Sequence, residues 1–395
     1  MTANAKKYPL RAGFQREWQR VRSRPLYLLL LLILPLAGWG ILAATFYEGV
    51  PRNMPIAIID HDNSAFSREL IRSIDATSTM QVAAYAMSPQ EGEDLMKQGD
   101  VYAVVLLEKD LEREIIRGNS PPVVIFYNAQ WMLPTNLIVK DLRTVFGTVS
   151  AVTNVKRRVA AGETLYQAAR TSEPIRFEMR ALHNPELDYS SFLMPALLGA
   201  MMHIFVTLMT IHAIGTELKH RTVKDWLAVN NGRILRALFT KLTPYFFWYF
   251  LLGASIFHIT YGPLGVPFRG TPAVLIGGYA LLCLAYTGLG VLLISATANL
   301  RLATSLASFI TGPAFAFAGI TFPVIAMPTA AKIWALALPL THFSTVVTQQ
   351  GVAGYPSRAS LPALQWLAIA SVVLWLLATP LLRMVTRNPN KWGRV

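Results

Sequence analysis

Tyr189 to Thr216 is a run of 28 residues without a formal charge, and it is followed at once by Glu217-Leu218-Lys219-His220-Arg221-Thr222-Val223-Lys224-Asp225-Trp226. About 20 apolar residues suffice to cross a hydrocarbon layer of roughly 30 Å, whereas a dense ionic patch cannot stay inside one. The chain is therefore expected to leave a membrane near Gly215. Beyond the exit, Leu218, Val223, Trp226 and Leu227 can turn to one side of a short helix, with Lys219, Arg221, Lys224 and Asp225 largely elsewhere. A span that feeds a compact, mostly basic element predicts a docking surface over residues 217–231.

Composition supports this reading outward from that stretch. The 395 residues are 53% hydrophobic and 15% charged, against about 25% charged in soluble domains. The net charge of +14 raises nucleic acid as a partner, but the Lys/Arg excess sits in short segments beside apolar runs: residues 1–25, 216–241, Arg301 and 383–395. The insertion 48–188 holds 15 basic and 19 acidic residues and is net acidic. That is the positive-inside pattern of a membrane protein and excludes nucleic acid as the main partner.

Leu10, Phe14, Trp18 and Val21 recur with helical spacing, and Arg11, Arg16, Glu17 and Arg20 fill the opposite face. This predicts an amphipathic helix lying in the headgroups, its apolar stripe toward lipid. Residues 26–46 form an uncharged run longer than a signal-peptide core, preceded by about two dozen polar residues, and are expected to be an uncleaved first span. Further spans are expected at about 190–215, 242–260, 272–297, 302–320 and 361–382. Pro323, Pro328 and Pro339 interrupt the apolar region 321–350, which predicts two half-helices that enter and return on the outer side. Six crossings place every basic segment on one side and the acidic insertion on the other.

The insertion reads as a water-exposed α/β domain. Strands are expected at 55–60, 101–107, 123–127 and around Arg176 to Leu182, with helices from Ser64, from Ser88-Pro89 to Gly99, near 110–117, and a long one from about Leu133 to Ala169. Ser88 is a helix cap with Glu91 placed to reach back to its amide. Asp60-His61-Asp62 reads as turn and cap chemistry ahead of metal or acid–base chemistry, since Asn63-Ser64 end the strand. The seven histidines form no HExxH or close cluster, and Cys283 lies in an apolar run. No metal or cofactor is expected in this chain.

Several segments then resemble the membrane-spanning subunit of ABC-2-type exporters with a large periplasmic domain between the first two spans. They are Met54-Pro55-Ile56-Ala57-Ile58-Ile59-Asp60 with Asp62-Asn63-Ser64 and Ser67-Arg68-Glu69-Leu70, Gly99-Asp100-Val101-Tyr102-Ala103, Gly215-Thr216-Glu217, Phe322-Pro323 with Met327-Pro328, and Leu338-Pro339-Leu340-Thr341-His342-Phe343. Where that family often carries a second acid just before its Gly-Thr-Glu equivalent, this chain has Ala213-Ile214, which implies a thinner carboxylate network.

The resemblance implies a mainly α-helical polytopic membrane protein of six transmembrane helices plus outer re-entrant half-helices, with an inserted α/β periplasmic domain. Both termini would be cytoplasmic in a bacterial inner membrane. The chain has no GxxxxGK[ST] phosphate loop, so it would be no enzyme. ATP and Mg would sit on partner ABC ATPase subunits, with a second permease copy or paralogue and a periplasmic adaptor as the further candidate partners. Glu217, Lys219, Arg221, Lys224 and Trp226 would couple to the ATPase, with the Trp226 ring as a contact anchor. His203, Thr207 and Thr210 read either as polar groups on a translocation surface or as groups satisfying neighbouring helices, and Phe322, Pro323, Pro328 and Pro339 as an outer gate. The exported substrate would be small and amphiphilic or hydrophobic. The aromatic run Tyr245 to Phe250 reads either as a binding wall or as lipid packing. A membrane-anchored scaffold and a secondary transporter are the alternatives, the latter lacking inverted repeats or an ionisable midplane pair.

Overall fold

The computed structural model describes residues 8–171, 183–185 and 187–393. It divides into two compact units, one holding residues 48–181 with 185–187 and the other holding the remainder. The strand expected around Arg176 to Leu182 lies outside the described residues.

The first helix of the described residues is α1 (Leu10–Ser23). A rod from Pro25 to Thr45 follows, built of α2 (Pro25–Leu28), one π-helical turn at Leu29–Ile33 and α3 (Leu34–Thr45).

The sheet unit carries β1 (Met54–Asp60), α4 (Ala65–Asp75), β2 (Met80–Tyr85), α5 (Pro89–Gln98), β3 (Ala103–Leu107), α6 (Leu111–Ile116), β4 (Val124–Tyr127), α7 (Met132–Ala160) and α8 (Leu165–Thr171). The strand order is β2-β1-β3-β4; β1 is parallel to both neighbours and β4 is antiparallel to β3. Central strands covered on both faces read as continuous apolar runs. Accordingly Ile56, Ala57, Ile58 and Ile59 are all fully buried. Edge strand β2 was not expected, because its sequence Met80-Gln81-Val82-Ala83-Ala84-Tyr85 is short and its two alanines are poor strand formers.

Ser64 and Ser88 cap α4 and α5, each accepting from the amide three residues on. Glu91 accepts from Met87 N at 2.8 Å, one residue before the expected cap amide. The expected long helix is two helices. Gly162, with φ +98°, ends the first in the left-handed region that favours glycine. The Asp60 carboxylate accepts from the amides of Asp62 and Asn63 and from the Ser67 hydroxyl, while Asp62 accepts from Glu112 N. The acidic turn is thus occupied in holding the backbone.

The helical unit continues with α9 (Tyr189–Phe192), α10 (Met194–Lys219), α11 (Val223–Val229), α12 (Ile234–Tyr261), α13 (Pro272–Thr297), α14 (Leu300–Thr311), α15 (Thr329–Ala337), α16 (Pro339–Gln350) and α17 (Leu361–Arg387). Among the described residues, five helices are long and apolar enough to cross a membrane: the Pro25–Thr45 rod, α10, α12, α13 and the helix Ser357–Arg387 that contains α17. Helices α15 and α16 are bent by 79° at Leu338-Pro339, and together they make a sixth apolar element of sufficient length.

Two expectations are corrected. The span drawn at 302–320 is not a continuous helix. α14 stops after 12 residues, about 18 Å of rise, and the 3-10 turn Pro313–Phe315 and irregular chain follow; Gly312 N still donates to Ser308 O, but Pro313 has no N–H to carry the helical hydrogen bonding on. The docking segment 217–231 is not one helix either. Glu217 and Lys219 close α10, Arg221 turns the chain at φ +58°, and α11 is a separate element of 7 residues.

Candidate functional site

The N-terminal helix, the end of α10, α11 and the start of α12 meet at a buried cluster of charges. Gly13 and Glu17 are one helical turn apart and share the buried face of α1. A Cβ at Gly13 would lie 2.7 Å from Thr240 Oγ1, so the absence of a side chain lets α1 approach α12 closely. Thr240 donates to Asn230 Oδ1 at 2.9 Å, and Asn230 donates to Trp226 O at 2.9 Å.

Glu217 is fully buried. Arg16 grips it through both guanidinium nitrogens, Nη2 donating to Oε2 at 2.9 Å and Nη1 to Oε1. Arg20 Nη1 is 2.7 Å from Oε1, Lys241 Nζ is 3.0 Å from it, and the Thr222 hydroxyl donates to Oε2. Glu17 is the second carboxylate, accepting from Lys241 Nζ at 2.7 Å and from the Tyr245 hydroxyl at 2.5 Å. Lys241, also buried, thus bridges the two acids, and its ammonium lies 5.4 Å from the Trp226 ring centroid. Burial alone would lower the Arg20 pKa, but the Glu217 and Glu17 carboxylates hold it above its ordinary value.

Two carboxylates and three cations in one buried site are tolerable only because each is paired and hydrogen-bonded; losing one partner strands another charge. The cluster therefore ties α1, α10, the Thr222 turn and α12 into one mechanical unit. The C-terminal residues join the same end of the helical unit. Gly393 N donates to Leu218 O at 2.9 Å, and Trp392 Nε1 donates to Val385 O at 3.0 Å.

The thinner network implied by Ala213-Ile214 is made up from elsewhere. Glu17 supplies a second acid from α1, a helix whose polar face was expected in the headgroups. That face turns inward, leaving Leu10 and Trp18 exposed. The spacings Gly13-x-x-x-Glu17, Arg16-x-x-x-Arg20 and Lys241-x-x-x-Tyr245 carried the signal, each placing two residues on one helix face.

Of the residues expected to couple to an ATPase, Lys219, Arg221 and Lys224 are exposed and Glu217 is at the heart of the cluster. Trp226 is a correction: only 2% exposed, with Nε1 donating to Ala237 O at 3.3 Å, it packs inside this chain and presents no ring to a partner. His203, Thr207 and Thr210 are corrected likewise. All three are buried within the chain, and the two threonine hydroxyls donate to carbonyls one turn back, at His203 and Val206, so they line no open surface. His203 packs against Tyr286 at a centroid distance of 4.5 Å. Phe322, Pro323 and Pro328 are exposed, while Pro339 is buried at the bend between α15 and α16. In the aromatic run, Tyr245 and Tyr249 are buried and Phe247 and Trp248 exposed. Among the described residues no group of three or more His, Cys, Asp or Glu side chains could hold a metal ion.

Membrane-length helices, an inserted sheet unit and a buried charge cluster at one end define a polytopic membrane permease. The chain belongs to the family described as ABC-2 family transporter protein, which matches residues 25–379. It is 23% identical over 343 residues to the probable multidrug ABC transporter permease YbhR of Escherichia coli K12, covering 85% of this chain and 89% of that protein. It is 23% identical over 292 residues to the probable multidrug ABC transporter permease YbhS of the same strain, covering 71% and 74%. The inner membrane transport permease YhhJ, also of that strain, is 24% identical over 313 residues, covering 76% and 77%. The protein is thus the non-catalytic, multi-pass membrane component of an ABC transport system, served by a separate ATPase subunit.

Proposed function

We propose that this permease works in an ATP-driven exporter and that the Glu217 cluster transmits the ATPase stroke to the spans. The observation that carries the reading is the short path from an exposed basic turn to a buried carboxylate. Lys219, Arg221 and Lys224 are open to a partner, while Glu217, two residues before Lys219, is locked to α1 and α12. A push on that turn cannot move the end of α10 alone, because the ion pairs drag α1 and α12 with it.

In this reading residues 1–25, 217–231 and 383–395 are cytoplasmic, the insertion 47–188 is periplasmic, and ATP and Mg stay on the ATPase. Gathering of α1, the α10–α11 turn and the C-terminal residues at one end of the helical unit supports both termini lying on one side. A second copy or a paralogue pairs with the chain, and a periplasmic adaptor is a further partner. The substrate is small and amphiphilic or hydrophobic, a reading supported by the multidrug naming of two relatives. The exposed Phe322 to Pro328 segment and the Pro339 bend form the outer gate.

The test is reconstitution of the permease with its ATPase in proteoliposomes. Glu217→Gln is expected to keep the subunits together while substrate-stimulated ATP hydrolysis and transport both fall by about tenfold or more. Wild-type coupling in that variant would remove the cluster from the transmission path.

A further inference from the structure

The sheet unit contains a groove that export coupling does not use. We propose that it is a binding site for a small anionic amphiphile, a hydrocarbon or aromatic body ending in a carboxylate or sulfonate. The groove runs between α4, α6, the α6–β4 connection and α7 and encloses about 430 Å³, inside the roughly 300–1,000 Å³ span of small-molecule sites. Its floor is apolar. Leu111 is buried, and Phe66, Ile115, Phe146 and Val149 are only partly covered although they pack on the unit's core.

One end of the groove is cationic. Arg157 lines it and donates from Nη2 to Asn154 Oδ1 at 3.2 Å. Nearby arginines are neutralised: Arg158 pairs with Glu163 at 3.4 Å and Arg117 with Glu114 at 2.8 Å. Among the described residues no carboxylate lies within ion-pairing distance of Arg157.

The turn facing Arg157 makes room for it. Gly118 sits at φ +92°, and a Cβ there would come within 2.7 Å of Arg157 Nη1. A larger residue would push the guanidinium away from the rim. The insertion as a whole is acidic, with 15 basic against 19 acidic residues, so an arginine with no carboxylate partner among the described residues, beside an apolar floor, is a local reversal of the prevailing field. A planar guanidinium offers paired donors to a carboxylate or sulfonate, and the floor takes the apolar body. This assignment uses the sheet unit alone and stands independently of the export reading.

The experiment is binding of octanoate to the full-length protein in zwitterionic nanodiscs, followed by saturation-transfer NMR with empty discs subtracted. Octanol and octylammonium serve as neutral and cationic controls. Wild-type protein is expected to bind octanoate in preference to both controls. Arg157→Gln should weaken octanoate by about tenfold or more, the size of one lost charge-assisted contact, without changing octanol. Arg157→Glu should shift preference to octylammonium. Ser150→Trp, at an exposed rim position, should block all three probes without lowering the melting temperature. Octanoate binding that is equal in wild type, Arg157→Gln and Ser150→Trp, or no greater than in empty discs, would overturn the site. Transport is not read in this assay, so its outcome leaves the coupling proposal untouched.

Discussion

Lys241 Nζ lies 2.7 Å from Glu17 Oε2, joining two buried residues that are 224 positions apart in the chain. The pair pins the N-terminal helix to α12. Replacing Lys241 by Met would leave Glu17 and Glu217 facing each other with two arginines to serve them, and removing one partner of a buried pair costs about 3–5 kcal/mol. Lys241→Met is therefore expected to lower the thermal unfolding midpoint of the purified protein strongly, and Glu17→Gln less, because Glu217 still holds the ammonium. A double-mutant cycle should show coupling above about 1 kcal/mol. Strict additivity would argue that the two side chains do not share one interaction.

Surface and interior charges at this end should separate experimentally. Lys224 is exposed and makes no ion pair with the cluster, so Lys224→Glu is expected to slow association with the ATPase several-fold, with strong salt dependence, and to leave stability unchanged. Glu217→Gln should do the reverse, sparing association and lowering coupled hydrolysis. Surface plasmon resonance alongside an ATPase assay distinguishes the two, and identical phenotypes would count against a division between docking face and transmission cluster.

Trp226 offers a third check. With the ring buried and bonded to Ala237 O, Trp226→Ala should cost about 3–5 kcal/mol of stability. Affinity for the ATPase, measured per folded molecule, should change less than threefold. Normal stability combined with lost docking would return the ring to the partner-facing role that its position in the sequence suggested.

Sidedness can be read by cysteine labelling in a Cys283→Ala background. Ser64→Cys, Asn119→Cys and Ala359→Cys are expected to react with an impermeant maleimide from outside intact cells. Gln15→Cys, Ala228→Cys and Asn390→Cys should react only after permeabilisation. Outside labelling at residue 390 would mean an odd number of crossings and would break the shared side of the two termini.

Much of the architecture was legible in the linear chain. Uncharged runs long enough for a bilayer, basic segments at their ends and an acidic insertion follow from solvation alone, and solvation acts on composition. The strand at Met54–Asp60 and the caps at Ser64 and Ser88 were likewise visible, because they depend on neighbours within a few residues. The edge strand at Met80–Tyr85 was not, since its stability comes from pairing with β1 across the sheet and not from its own pattern.

The charge cluster shows where local reading ends. Spacing of three and four places Gly13, Arg16, Glu17 and Arg20 along one side of a helix, yet an amphipathic helix can bury either side, and the apolar stripe was the natural choice. Tertiary packing chose the polar side, because Glu217 and Lys241 offered partners that no headgroup supplies with fixed geometry. The same holds for Trp226 and for His203, Thr207 and Thr210, whose residue types fit an interface or an interior equally well. Five of the six expected spans, all but 302–320, and the basic turn were determined by the sequence through hydrophobicity and charge counted locally, and the family through its quoted segments. Which face of α1 turns inward, and which carboxylate meets which cation, was decided only when segments more than 200 residues apart were packed together, since the desolvation of each charge can be offset only by a partner brought there by the fold.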